Sequence, residues 1–139
     1  MDDLNQKQYS DYILQGILEK FPFLKNYYYY VQNDILIIEY PSKTGLLKLW
    51  ITTQDIEVTI GLDNKEGNCE WHTHMSLYSA YKPKDELREI INLINRIFAG
   101  QELIVFNNGA AYYLTDNKIE ALVNKLPDDN LDFKKWHEI

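Results

Sequence analysis

Apolar residues recur along this chain with two periods, one helical and one strand-like. Tyr9, Ile13 and Ile17 form one stripe with the stem of Lys20, flanked by Tyr12 and Leu14. The spacing predicts a first helix from about Asp3 to Lys20. Phe21-Pro22 ends it, because the residue before a proline is driven out of the helical region. A strand-like stretch follows. Tyr27 to Gln32 reads as the first strand, with alternate tyrosine rings facing core and solvent. Ile35 to Tyr40 is the second and Leu46 to Thr53 the third. In the third, Leu47, Leu49 and Ile51 share one face, and Lys48, Trp50 and Thr52 share the other. A fourth strand begins at Ile56, where Ile56, Val58 and Ile60 alternate with Glu57 and Thr59. That pattern predicts one apolar and one wet face, as in an antiparallel sheet. The turn at 63–68 leads to a fifth strand, Cys69 to His74, with Cys69 read as a small buried residue.

Helical spacing returns after Pro83. Leu87, Ile90, Ile91, Ile94, Ile97 and Phe98 form an apolar stripe between a proline start and the exit at Gly100. Leu103 to Phe106 and Ala111 to Leu114 read as a hairpin about Asn107-Asn108-Gly109. Asn117 is placed to cap a last helix, with Glu120 at the capping-box position. Ile119, Leu122, Val123 and Leu126 are expected to face inward there, and Pro127 to end it. The tail, with Phe133, Trp136 and Ile139, is expected to fold back onto the core. Strands in a run with short links predict an α+β fold. Its expected form is a mostly antiparallel sheet of about five to seven strands with three helices packed against it. The length, 139 residues, suits a single domain over 1–139.

Composition narrows the function classes. Aromatics make up 14% of the chain, eleven of them tyrosine, which argues against disorder. A lone cysteine, Cys69, excludes a disulfide framework. No apolar run approaches the roughly 20 residues of a membrane helix, so no membrane association is expected. Met1-Asp2-Asp3 is the wrong start for a secretory signal, so a cytoplasmic location is expected. The net charge is −7, and only Arg88 and Arg96 are arginines. That balance counts against a nucleic-acid ligand and favours a basic protein partner. The acidity is concentrated. Asp55, Glu57, Asp63, Glu66 and Glu70 stand against Lys65 alone between residues 55 and 70.

The chemically suggestive stretch is Glu70-Trp71-His72-Thr73-His74. Strand alternation would put Glu70, His72 and His74 on one face, and two imidazoles with a carboxylate suit a zinc-class ion. The same alternation places Cys69 and His72 on opposite faces. His72-Thr73-His74 is followed by seven residues, Met75 to Tyr81, then Lys82, two residues and Asp85. This spacing resembles the motif of JAMM-type metallo-isopeptidases, with Lys82 standing where that family has serine and Met75 where a proline usually follows. The resemblance implies a zinc-dependent hydrolase, or an inactive relative, using His72, His74 and Asp85.

A second resemblance covers more of the chain. Ile56-Glu57-Val58-Thr59-Ile60-Gly61-Leu62 leads through a short loop into the Trp71-His72-Thr73-His74 strand. An amphipathic helix and a strand at Glu102 to Phe106 follow. From about Asp55 to Phe106 this order is similar to small acidic immunity proteins of bacterial polymorphic toxin systems. It implies a non-enzymatic protein that binds and blocks one cognate toxin, without a cofactor. The expected partner-binding residues are Asp55, Glu57, Asp63, Glu66, Glu70, Trp71, His72, His74 and Tyr78, since acidic inhibitors steer toward basic surfaces and aromatics anchor interfaces.

Overall fold

The computed structural model describes residues 4–78 and 80–139. Its elements are helices α1 (Gln6–Lys20), α2 (Pro83–Phe98) and α3 (Lys118–Val123). The strands are β1 (Tyr28–Val31), β2 (Ile35–Pro41), β3 (Lys48–Thr52), β4 (Thr59–Asp63), β5 (Cys69–His74), β6 (Leu103–Asn107), β7 (Ala110–Thr115) and β8 (Leu131–Lys134). The fold is α+β, as expected. The strands form two antiparallel sheets rather than one: a five-stranded meander β1-β2-β3-β4-β5, and a three-stranded sheet β7-β6-β8. No helix among the described residues is long and apolar enough to cross a membrane.

The expected helix start at Asp3 lies outside the described residues. The helix itself begins later, at Gln6, because Asn5 caps it. The Asn5 side chain accepts from the Gln8 backbone N–H at 2.8 Å, and the Gln8 side chain accepts from the Asn5 N–H at 3.0 Å. This reciprocal box satisfies two donors that the helix leaves unpaired. Asn5→Ala is expected to cost about 1 kcal/mol in urea denaturation. An unchanged midpoint would show that the box contributes nothing.

The core gathers where helical and strand stripes meet. Tyr9, Ile13 and Ile17 of α1 and Ile90, Leu93, Ile94 and Ile97 of α2 pack on Leu36, Ile38, Leu49, Ile51, Ile60 and Leu62. The same cluster takes in Ile104 and Phe106 from the small sheet. The tail closes it. β8 pairs with β6, and Trp136 and Ile139 are buried, with Trp136 stacked on Tyr40 at 6.3 Å and beside Phe98. Its final carbonyl accepts from the Thr44 N–H at 2.7 Å.

Three local expectations are corrected. The tyrosines of β1 do not alternate between core and solvent. All of Tyr28–Val31 is exposed, because β1 is the outermost strand of its sheet. Two of its phenols are nevertheless used: Tyr30 donates to Asp11 at 2.6 Å, and Tyr29 donates to Glu39. The fourth strand starts at Thr59, not Ile56, after a 3-10 turn at Gln54–Ile56. Its expected wet side is covered: Thr59 and Gly61 lie on the side of the sheet away from the helices yet are buried, Gly61 under the Trp50 ring. The stripe on α3 faces outward. Ile119, Leu122, Val123 and Leu126 are exposed, and Ala121 is the buried residue of that helix. The six-residue helix bridges two strands of the small sheet and meets the body through its smallest side chain. Only half of its expected capping box forms: the Asn117 side chain accepts from the Glu120 N–H at 3.0 Å, while the Asn117 N–H donates to Thr115 Oγ1 at 3.1 Å rather than to Glu120.

Candidate functional site

The five-stranded sheet has one face on the helices and one open face. Leu49 and Ile51 of β3 turn to the core, while Lys48, Trp50 and Thr52 remain half-exposed on the other side. Across this open face β3 neighbours β4, and β4 neighbours β5. Trp50 is opposite Gly61, Gly61 opposite His72, and Thr59 opposite His74. A glycine at 61 lets the Trp50 ring lie flat, since a Cβ there would come within 2.3 Å of Trp50 Cζ2. The indole N–H donates to Asp63 Oδ1 at 2.7 Å, which fixes the ring.

His72 and His74 stand side by side, ring centroids 5.4 Å apart and nearly perpendicular. Thr59 Oγ1 lies 2.8 Å from His74 Nδ1, and Glu57 Oε1 lies 3.8 Å from the same nitrogen. Glu57 is itself held by the Ser76 hydroxyl at 2.7 Å. Asp55 arrives from the 3-10 turn, where Asp55 and Ile56 both have positive φ, at 61° and 53°. Such values are costly for a β-branched residue. Gln6 holds the turn by donating to the Thr53 carbonyl at 2.7 Å and accepting from the Ile56 N–H at 3.3 Å. Trp50, Thr52, Asp55, Glu57, His72 and His74 thus surround an open depression of about 400 Å³.

A bulge in β5 decides what else joins them. Leu62 pairs with Trp71, but Asp63 pairs with Cys69, so Glu70 is the extra residue. One inserted residue resets the alternation. Glu70 therefore does not share a face with His72 and His74. Its carboxylate accepts from the Ala111 N–H at 2.8 Å and from the Asn64 side chain at 3.2 Å, tying the two sheets together. Cys69 is exposed rather than buried, and its Sγ lies 3.8 Å from His72 Nδ1, on the same face.

The other expected partner-binding residues are divided. Asp63 rims the open face through Trp50, and Glu66 sits exposed at the hairpin tip. Trp71 and Tyr78 line a separate cleft of about 480 Å³ with Tyr113, Glu102, Asp116 and Glu120. Burial pushes the Tyr78 phenol above its ordinary value. Besides Thr73 of β5 and Leu93 of α2, the other residues of that cleft come from in and around the small sheet and α3, distant in sequence, and no local pattern announces them. Trp50 is the main residue of the open face outside the expected set. Its alternation with Lys48 and Thr52 was the signal for it.

The zinc set expected from the JAMM resemblance is not assembled. Asp85 lies in the first turn of α2, where Arg88 donates to it at 3.0 Å. Among the described residues, no three His, Cys, Asp or Glu side chains are gathered closely enough to hold a metal ion. His72 and His74 are neighbours, but the third ligand does not reach them. Nor does Glu70 replace it, being engaged by Ala111 and Asn64.

Comparison with known proteins adds no relative: no protein-family model matches the chain, and no curated protein or solved structure is similar to it.

Proposed function

We propose that the chain is a binding protein whose open sheet face takes a basic protein partner, and that it acts as an immunity protein neutralising one bacterial toxin. The observation that carries this reading is the open face itself. Trp50 is clamped flat beside His72 and His74, with Asp55, Glu57 and Asp63 around them. A rigid aromatic in a shallow depression is a usual anchor of protein interfaces. The acidic rim raises the association rate for a positively charged partner. The chain's overall −7 acts in the same sense at longer range. No arrangement at His72 and His74 specifically favours the hydrolase reading.

The direct test is co-expression with the toxin encoded beside this chain. Protection is expected for the wild type. Trp50→Ala is expected to weaken binding by about 2–4 kcal/mol in calorimetry, as at interface hot spots. Asp55→Lys with Glu57→Lys is expected to slow association about tenfold at low salt and much less at high salt. Absence of any protection or binding by the wild-type chain rejects the immunity reading. Full binding by Trp50→Ala rejects this face as the site.

A further inference from the structure

Alternation along β5 separates two concave places. His72 and His74 border the open depression, while Trp71 and Thr73 line the cleft of about 480 Å³ on the other side of the strand. Thr73, Leu93 of α2 and Ala121 of α3 contribute buried lining to that cleft. Around them stand three aromatic rings, Trp71, Tyr78 and Tyr113, and three carboxylates, Glu102, Asp116 and Glu120. Among the described residues no lysine, arginine or histidine lines it. We propose that this cleft is a binding site for a linear aliphatic di- or polyamine.

The fold gathers these carboxylates from separate places. Leu103 of β6 lies opposite Thr115 of β7, Glu102 and Asp116 flank that end of the ladder, and α3 adds Glu120. Like charges brought together repel one another. Arg96 relieves Glu102, its Nε donating to Oε1 at 3.2 Å. The Glu102 side chain is only 14% exposed, yet its Oε2 has no hydrogen-bond partner among the described residues. The carboxylates of Asp116 and Glu120 have no ion pair there either. Lys118, the cation between them in sequence, is occupied over the Phe133 ring at 5.1 Å. The Tyr78 phenol is raised by burial first, and the Glu102 charge acts in the same direction. Two negative charges thus remain uncompensated in one concave place.

The rest of the lining says which cation fits. Aromatic faces attract ammonium groups. The same rings, with Leu93, Leu114 and Ala121, also pack against methylene groups. A bare metal ion is not served, because no three ligating side chains are gathered closely enough among the described residues. A single ammonium would neutralise one of the two free carboxylates and leave the other. The volume falls in the range of small-molecule sites, roughly 300–1,000 Å³, and leaves room for a chain. An aliphatic chain with at least two ammonium groups matches both the charge and the lining. Neither Trp50 nor the histidines take part, so the site does not rest on the function proposed above.

Isothermal titration calorimetry with putrescine and spermidine tests it, at about 0.1 M salt so that attraction by distant charges is largely screened. One-to-one binding with a Kd of roughly 10–100 μM is expected for spermidine. Nα-acetyl-lysine amide presents one ammonium, as a protein ligand would, and is expected to bind at least about tenfold more weakly. Asp116→Asn with Glu120→Gln is expected to weaken spermidine about tenfold or more, with an unchanged melting curve because both side chains are exposed. Glu19→Gln with Asp128→Asn removes the same charge outside the cleft, and is expected to leave binding within about twofold of wild type. Tyr113→Leu is expected to weaken binding about fivefold, and Tyr113→Phe, which keeps the ring face, by less than about twofold. No heat of binding up to about 5 mM spermidine overturns the proposal. Equal weakening by the two double variants also overturns it, since net charge alone would then attract the amine. Nα-acetyl-lysine amide binding as tightly as spermidine overturns it too, and assigns the cleft to a single basic side chain instead.

Discussion

Glu86→Ala is expected to destabilise the fold by about 4 kcal/mol, a large share of the roughly 5–15 kcal/mol available to a domain of this size. Glu86 sits in the first turn of α2 and is 5% exposed. Its Oε2 accepts from the Tyr9 hydroxyl of α1 at 2.8 Å and from the Val58 N–H, just before β4, at 3.1 Å. Both donors belong to fully buried residues. One carboxylate oxygen thus joins two helices and the sheet at the centre of the core. Alanine would leave two buried donors without an acceptor, and each costs about 1–3 kcal/mol. Urea denaturation measures the effect, and a loss below about 1 kcal/mol would contradict this account.

Glu86→Gln separates the hydrogen bonds from the charge. A single amide oxygen can accept from both Tyr9 and Val58, as the carboxylate oxygen does. Burial pushes the Glu86 carboxyl above its ordinary range, against the opposing effect of its two donors. The folded state therefore keeps this proton to higher pH than the unfolded chain. As pH rises through the unfolded value toward the folded one, wild type loses stability on this account, and the glutamine variant does not. The Gln variant is expected to match wild type near pH 4 and to equal or exceed it at pH 7. Asp11, held low by its bonds to Tyr30 and Lys7, and Glu39, held low by Lys48 and Tyr29, give slopes of the other sign. Those contributions are common to both proteins and cancel in the difference. A constant difference across this pH range would show that burial does not hold the proton.

Gly61→Ala is expected to cost about 2 kcal/mol and to dismantle the open face as well. The new Cβ would lie 2.3 Å from Trp50 Cζ2 and 2.8 Å from the Trp71 carbonyl oxygen. The second contact is with backbone in the paired strand, so only a shift of β5 or of the glycine itself relieves it. The indole must also lift, breaking its bond to Asp63. Stability, Trp50 fluorescence (compared against Trp50→Phe) and partner affinity should all change together. Native fluorescence with native stability would mean that the ring does not rest on Gly61.

The legible part of this protein was periodic. The stripes on α1 and α2 could be read because both helices bury one continuous face, and spacing reports such a face directly. The β-run from residue 28 to residue 74 was legible for a similar reason, with strand ends displaced by a few residues. Nothing periodic marked Asn5, whose box with Gln8 moved the start of α1. The position of Glu86 was equally silent. A carboxylate in a first helical turn reads as a solvated partner of the helix dipole until a second helix and a strand close over it.

The site was less legible than the fold, and the reason is countable in single residues. Strand alternation correctly paired His72 with His74. It misplaced Glu70 and Cys69, because a bulge inserts one residue without a sequence mark strong enough to reveal it. The acidic run from Asp55 to Glu70, continuous in sequence, is divided in space. Asp55, Glu57 and Asp63 surround Trp50 and the histidines, while Glu70 braces the two sheets.

The sequence by itself determined the α+β class, the two long amphipathic helices, the run of antiparallel strands and the acidic, arginine-poor composition. Each depends on local spacing or on composition, which do not require knowledge of neighbours. Only the tertiary structure decided that the strands divide into two sheets and that β4 is buried on both sides. It alone showed that the apolar stripe of α3 faces solvent. Those outcomes depend on which surfaces compete for the same core. α1, α2 and the tail fill it with large side chains, and Ala121 is the residue that α3 buries.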